Sequence, residues 1–175
     1  MSDIKRIQQK IQKLYQAIEY QKIVVPVSLK VKQWVSFAEE YISATSIIDI
    51  QKPQYLLPKL QMTGQAVESA LKACLVAAHE DSPNSHDLVQ LYELAAKHGF
   101  HLGNPDIAAI VHLGHFYFQD LATSTKYKIR YPTIQIERLG GSVPTNSTFV
   151  SIVRSLCEQA TERNNGNIDG NVLNE

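Results

Sequence analysis

A chain of 175 residues, 44% of them apolar, carries enough apolar side chain for one packed domain and its appendages. Lys plus Arg and Asp plus Glu number 17 each, so the net charge is zero; this excludes a nucleic-acid binder that relies on bulk electrostatics and leaves only a local patch for such a role. Two cysteines, Cys74 and Cys157, are too few for a disulfide framework, and both fall in apolar helical patterns that fit buried thiols in a reducing compartment.

The chain opens on Met1-Ser2-Asp3-Ile4-Lys5-Arg6, which runs into Gln- and Lys-rich sequence rather than an apolar signal core. No apolar run reaches the ~20 residues of a membrane span, so a cytoplasmic protein without a membrane is expected and the sequon Asn146-Ser147-Thr148 carries no weight. Ile4, Ile7, Ile11, Leu14 and Ile18 recur at alternating three- and four-residue steps, the spacing of a narrow seam on one helix face. An N-terminal amphipathic helix is therefore expected over about residues 3–23 of an N-terminal unit 1–26, ended before Pro26. Its stripe is too short for an independent coiled coil and must dock, either on its own domain or on a partner helix.

The second helix is expected from Val31 to Ile50, with Val31, Trp34, Val35, Ala38, Tyr41, Ile42 and Thr45 on one face. The third runs from Leu60 through Thr63, Ala66, Val67, Ala70, Leu71 and Cys74 to Ala77 and Ala78, and stops near His79-Glu80-Asp81. Ser85 is placed to cap a fourth, with Asp87 in its first turn and Gly99 closing it. Asn104-Pro105-Asp106 starts a fifth that carries Ile107, Ile110, Val111, Gly114, Tyr117 and Phe118 on toward Leu121. The alternating stretch Lys126–Glu137 has no sheet to join and reads as an extended segment, and it overlaps an extended linker assigned to 133–144 that includes Gly140-Gly141. Thr145 or Ser147 caps a C-terminal helix over 145–162, and the Asn/Gly-rich tail 163–175 reads as disordered. The fold class is all-α: an antiparallel bundle of four to five core helices, with one additional helix at each end.

Four motifs now stand in order: Trp34 with Ala38, then Gln65-Ala66-Val67-Glu68-Ser69-Ala70-Leu71-Lys72-Ala73, then His86-Asp87-Leu88, then Tyr127-Lys128-Ile129-Arg130-Tyr131-Pro132. Together, over residues 31–132, they resemble the HEPN family (higher eukaryotes and prokaryotes nucleotide-binding domain). The resemblance implies a four- to five-helix bundle, commonly dimeric and often encoded beside a minimal nucleotidyltransferase, with business in nucleotides or RNA. Some members are ribonucleases, and these carry an Arg followed four to six residues later by a His. The chemistry suits those residue types: a His moves the 2′-hydroxyl proton near neutral pH while an Arg grips the phosphate bidentately. The five arginines here are Arg6, Arg130, Arg138, Arg154 and Arg163, and none has a His within the next seven residues. The family's usual catalysis is not expected.

The polar residues that remain are the candidate ligand-binding set: Glu68, Lys72, His86, Tyr127, Arg130 and Tyr131. Glu68 and Lys72 stand four apart in the order that favours an ion pair. They are either a solvated surface pair worth a few tenths of a kcal/mol or the lining of a cleft with His86 and Arg130. His86 sits at a helix start, where the dipole disfavours its charged form, and either bonds a neighbouring helix or serves a site. Arg130 can grip a phosphate or carboxylate, with Tyr127 and Tyr131 as stacking faces; equally, the segment is pinned to the bundle by its tyrosines and Pro132. His112 with His115, and His98 with His101, lack the further ligands a zinc site needs, so neither a metal nor a cofactor is expected. The preferred function is a non-catalytic, homodimeric nucleotide-binding or partner-binding module, a toxin–antitoxin-like companion of a nucleotidyltransferase. The alternatives are a ribonuclease toxin that uses His86 and Arg130, and a purely structural helical assembly.

Overall fold

In the computed structural model, the described residues are 9, 10, 13, 25–51, 56–80, 83–117 and 146–171. They form five main helices: α1 (Val27–Gln51), α2 (Leu56–Ala77), α3 (Leu88–Lys97), α4 (Asn104–Tyr117) and α5 (Asn146–Asn171). No strand occurs among them, so the all-α bundle stands. No described helix is long and apolar enough to cross a membrane.

The bundle is built around α2, which packs against all four other helices. Its sequence explains the position. From Ala66 to Ala77 every residue is buried, and eight of the twelve are Ala, Val or Leu; a helix apolar nearly all round has nowhere stable to go but the interior. Small residues at Ala66, Ala70, Ala73 and Ala77 let neighbouring helices come close, while Leu71 and Leu75 fill the space between. Around it α1 contributes Val31, Ala38 and Ile42, α3 Leu88 and Leu91, α4 Ile110 and Leu113, and α5 Phe149, Ile152, Val153 and Leu156. Each fully buried Leu, Ile or Phe stabilises by about 1.5–3 kcal/mol, so the shared surface of α2 carries most of the cohesion.

The helix ends follow local chemistry. Asp87 is the N-cap of α3: its Oδ1 accepts from the backbone N–H of Val89 at 2.9 Å and of Gln90 at 3.1 Å. This corrects the assignment of the cap to Ser85, whose hydroxyl accepts from the Asp87 N–H and donates to Gln90 Oε1 at 2.7 Å. A carboxylate wins the cap because it satisfies the same N–H groups and meets the positive end of the helix dipole. Gly99 takes φ 86° and closes α3, with the Phe100 N–H bonded back to Ala95 O. His79 takes φ 61° just after α2.

Other boundaries moved. Helix α1 starts at Val27, four residues earlier than expected, with the N–H groups of Leu29 and Lys30 both bonded to Pro26 O. Helix α4 is described as far as Tyr117; its expected continuation to Leu121, the extended segment at 126–137 and the linker at 133–144 lie outside the described residues, as does most of the N-terminal helix. Val111, grouped with Ile110 among the apolar residues of this helix, is exposed. Ser147 is not a cap but lies inside α5, which begins at Asn146; Asn146 bridges to α1 through Thr45 Oγ1 and Ser46 Oγ, each at 3.1 Å.

The largest departure is at the C-terminus. Residues 163–171, read as disordered, continue α5 as helix to Asn171. Asn and Gly are weak helix formers, but tertiary contacts override propensity here. Arg163 donates to His98 O, its guanidinium carbon stands 5.1 Å from the Phe100 ring centroid, and Asn164 is buried. Those contacts clamp the polar end of α5 onto the α3–α4 connection.

Both thiols are buried, as expected, and Cys74 Sγ donates to Leu156 O across the α2–α5 contact at 3.4 Å. Burial first, and then the neighbouring carboxylates of Glu39 and Glu158, push the Cys157 thiol up to about 12 from the ordinary 9.0; burial raises Cys74 further. A raised folded-state value means stability that is full below the unfolded thiol's range and lost as pH rises through the folded one. Unfolding free energy measured by urea titration is therefore expected to fall between pH 9 and 12, and to fall less steeply in Cys157→Ala.

A buried carboxylate with three donors

The centre of α2 holds the one feature that a packed helix tolerates least, a buried charge. Glu68 is 4% exposed and Lys72, one turn on, is 6% exposed. Lys72 Nζ donates to Glu68 Oε1 at 2.7 Å. This excludes the solvated surface pair: Glu68 and Lys72 form an interior ion pair. The Lys72 ammonium also lies 5.3 Å from the centroid of the Trp34 ring on α1, a cation–π contact that helps to replace lost water.

Two further donors reach the same carboxylate from other elements. Tyr117, the last residue of α4, donates its hydroxyl to Glu68 Oε2 at 2.7 Å. His86, just ahead of the α3 cap, places Nδ1 3.0 Å from Oε1 and 3.1 Å from Oε2. An ionised carboxylate only accepts, so Nδ1 carries a proton and the neutral ring's acceptor lone pair sits on Nε2. Burial, followed by the hydrogen bond to Glu68 and the charge of Glu68, holds the Tyr117 hydroxyl well above the ordinary tyrosine range, so it remains a donor. The ion pair is thus fully inside, while the His86 side chain, 51% exposed, forms the outer edge of the cluster.

Tyr117 reaches Glu68 because α2 makes room for it. Gly64 lies one turn before Glu68, and a Cβ there would stand 2.0 Å from Cδ2 of the Tyr117 ring. The ring crosses the helix at the missing side chain and its hydroxyl lands on the carboxylate one turn later. A mid-helix Gly costs about 1 kcal/mol against Ala, which the close approach of α4 offsets.

Of the expected site residues, Glu68, Lys72 and His86 come together. Arg130, Tyr127 and Tyr131 lie outside the described residues. Sequence reasoning missed Tyr117, assigned only to the core, and the contact of Trp34 with Lys72. The available signal was Gly64, a lone glycine in an otherwise strong helix, which marks a close approach by some neighbour.

The family model described as HEPN domain matches residues 58–162, which span α2 to α5 and contain Glu68, Lys72, His86 and Tyr117. The chain belongs to the HEPN family. Helix α5, which the sequence resemblance at 31–132 left outside, is within the HEPN match up to residue 162 and packs against α1 and α2. No curated protein and no solved structure matches the chain.

Two substitutions test the geometry. Gly64→Ala drives a methyl into the Tyr117 ring and is expected to destabilise by about 1–3 kcal/mol, read as a lowered urea midpoint, although Ala is the better helix former. Glu68→Gln leaves the Lys72 ammonium uncompensated inside and is expected to cost about 3–5 kcal/mol. The double variant Glu68→Gln/Lys72→Met should recover much of that loss, because the stranded charge is gone; a double-mutant cycle with no coupling would contradict the buried pair.

Proposed function

We propose that this HEPN protein is a non-catalytic, homodimeric binding module that receives a nucleotide-type ligand, or a nucleotidyltransferase partner that carries one, at the edge marked by His86. The observation that carries this reading is the closure of the Glu68 cluster. Lys72 spends its charge on Glu68 and the Trp34 ring, and Tyr117 spends its proton on the same carboxylate. These groups fix the position of His86 rather than meeting a ligand themselves. His86 then offers a half-exposed, oriented imidazole, with Arg130 as the candidate phosphate grip and Tyr127 and Tyr131 as candidate stacking faces. The lack of any Arg followed by a His within seven residues supports binding without RNA cleavage.

One observation favours a second reading. A carboxylate that accepts from Nδ1–H of a His fixes the ring's tautomer and orientation, as the carboxylate behind a general-base His does. On that reading Glu68 positions His86, and Arg130 supplies the phosphate contact for cleavage at a 2′-hydroxyl.

Trp34 is the chain's single tryptophan and stands beside Lys72, so its fluorescence reports on the cluster. Titration with ATP, AMP and a short single-stranded RNA is expected to give a saturable change with at least one of them. His86→Ala and Arg130→Ala should each raise that Kd roughly tenfold or more, a loss of about 1.4 kcal/mol, and His86→Ala should also lower the melting temperature because it removes a donor from Glu68. Intact RNA after prolonged incubation fits the binding module. RNA cleavage that disappears in His86→Ala would transfer the assignment to the nuclease, and a flat titration with all three probes would sink the ligand-binding reading.

A further inference from the structure

Away from the Glu68 cluster, a groove of about 900 Å³ runs between α1 and α5. Its floor is apolar, with Val35 and Ile42 from α1 and Val150, Val153 and Cys157 from α5. Its rim is acidic: Glu39, Glu158 and Glu162 against the single guanidinium of Arg154. Ile47, at the far end of the groove, is 55% exposed, an apolar side chain that the described helices leave uncovered.

We propose that the chain's own N-terminal segment, residues 3–23, folds back at Pro26 and lays its Ile4/Ile7/Ile11/Leu14/Ile18 stripe into this groove as a helix antiparallel to α1. Three features select this occupant. The first is charge: up to residue 24 the segment carries Lys5, Arg6, Lys10, Lys13 and Lys22 against Asp3 and Glu19, which complements the acidic rim. The second is reach. Twenty-one helical residues extend about 30 Å, the same as Val27–Ile47, so a hairpin about Pro26 sets Leu14 beside Val35, Ile11 beside Glu39 and Ile42, and Ile4 beside Ile47. The third is the tether. The short connection ahead of α1 holds the segment at an effective concentration in the millimolar range, far above that of a second copy in solution. The polar positions Gln9, Lys10 and Lys13 are helical and exposed, as the outer face of such a helix requires. Docked this way, the stripe completes a layer over α1 and α5, on a surface separate from the His86 edge.

The test uses the full chain in a Cys157→Ala background, with Ile4→Cys and Ile47→Cys introduced together and a short bis-maleimide added. Both positions can take Cys without disturbing the core, since Ile47 is exposed and Ile4 precedes the domain. The expected product is an intrachain cross-link, seen as a faster-migrating monomer. It should form roughly tenfold or more faster than in the control pair Ile4→Cys/Leu29→Cys at the opposite end of α1, because docking raises the local concentration of only one pair. Adding Ile7→Asp and Leu14→Asp should abolish it. A cross-linked dimer as the main product would assign the groove to a second copy and overturn the proposal. So would equal rates for the two pairs, no cross-link at all, or a cross-link that survives both Asp substitutions.

Discussion

The arrangement of the bundle depends on how a carboxylate in the middle of its central helix is kept inside. Moving an ionised group out of water costs several kcal/mol, which a single partner does not offset. Glu68 is instead met by three donors from three places: Lys72 on its own helix, His86 at the approach to α3 and Tyr117 at the end of α4. Each fixes the position of the element that carries it. The α3 entry must bring His86 within 3.1 Å of the carboxylate, and α4 must carry a tyrosine ring across Gly64. Apolar packing gives the helices their attraction to α2, but it is non-directional; the hydrogen bonds to Glu68 set their register.

The same arrangement bears on function by separating structural from presented groups. Lys72, which the sequence offers as half of a surface pair or as part of a cleft lining, is turned inward and neutralised. His86 is the member whose ring lies half in solvent. A network of this kind leaves one oriented imidazole at the surface with its tautomer set from beneath, which is why both a ligand-reading edge and a general base are chemically sensible uses of it.

Stability is not concentrated there alone. The Arg163 and Asn164 contacts extend α5 far beyond what its composition favours, and Asn146 fastens its other end to Thr45 and Ser46. The last helix is therefore held by polar contacts at Asn146 and at Arg163, and between them by Ile152, Val153 and Leu156. This integration agrees with a family match that runs on to residue 162.

Periodicity in the sequence determined that the protein is helical, where its inner faces lie and where α2 and α3 stop, because those depend on neighbours three and four residues apart. The face Val31–Thr45 on α1, the buried thiols and the Gly99 terminus all follow from such local spacing, and so did the grouping of Glu68 with Lys72. Tertiary structure alone decided that this pair is buried, since burial depends on what covers a helix and not on its own pattern. It also decided that Tyr117 serves Glu68 from 49 residues away, and that the Asn/Gly-rich end of α5 is helix, because Arg163 finds His98 O and the Phe100 ring 65 and 63 positions back. Those contacts join residues that no local period connects, and they override propensities that a local reading can only sum.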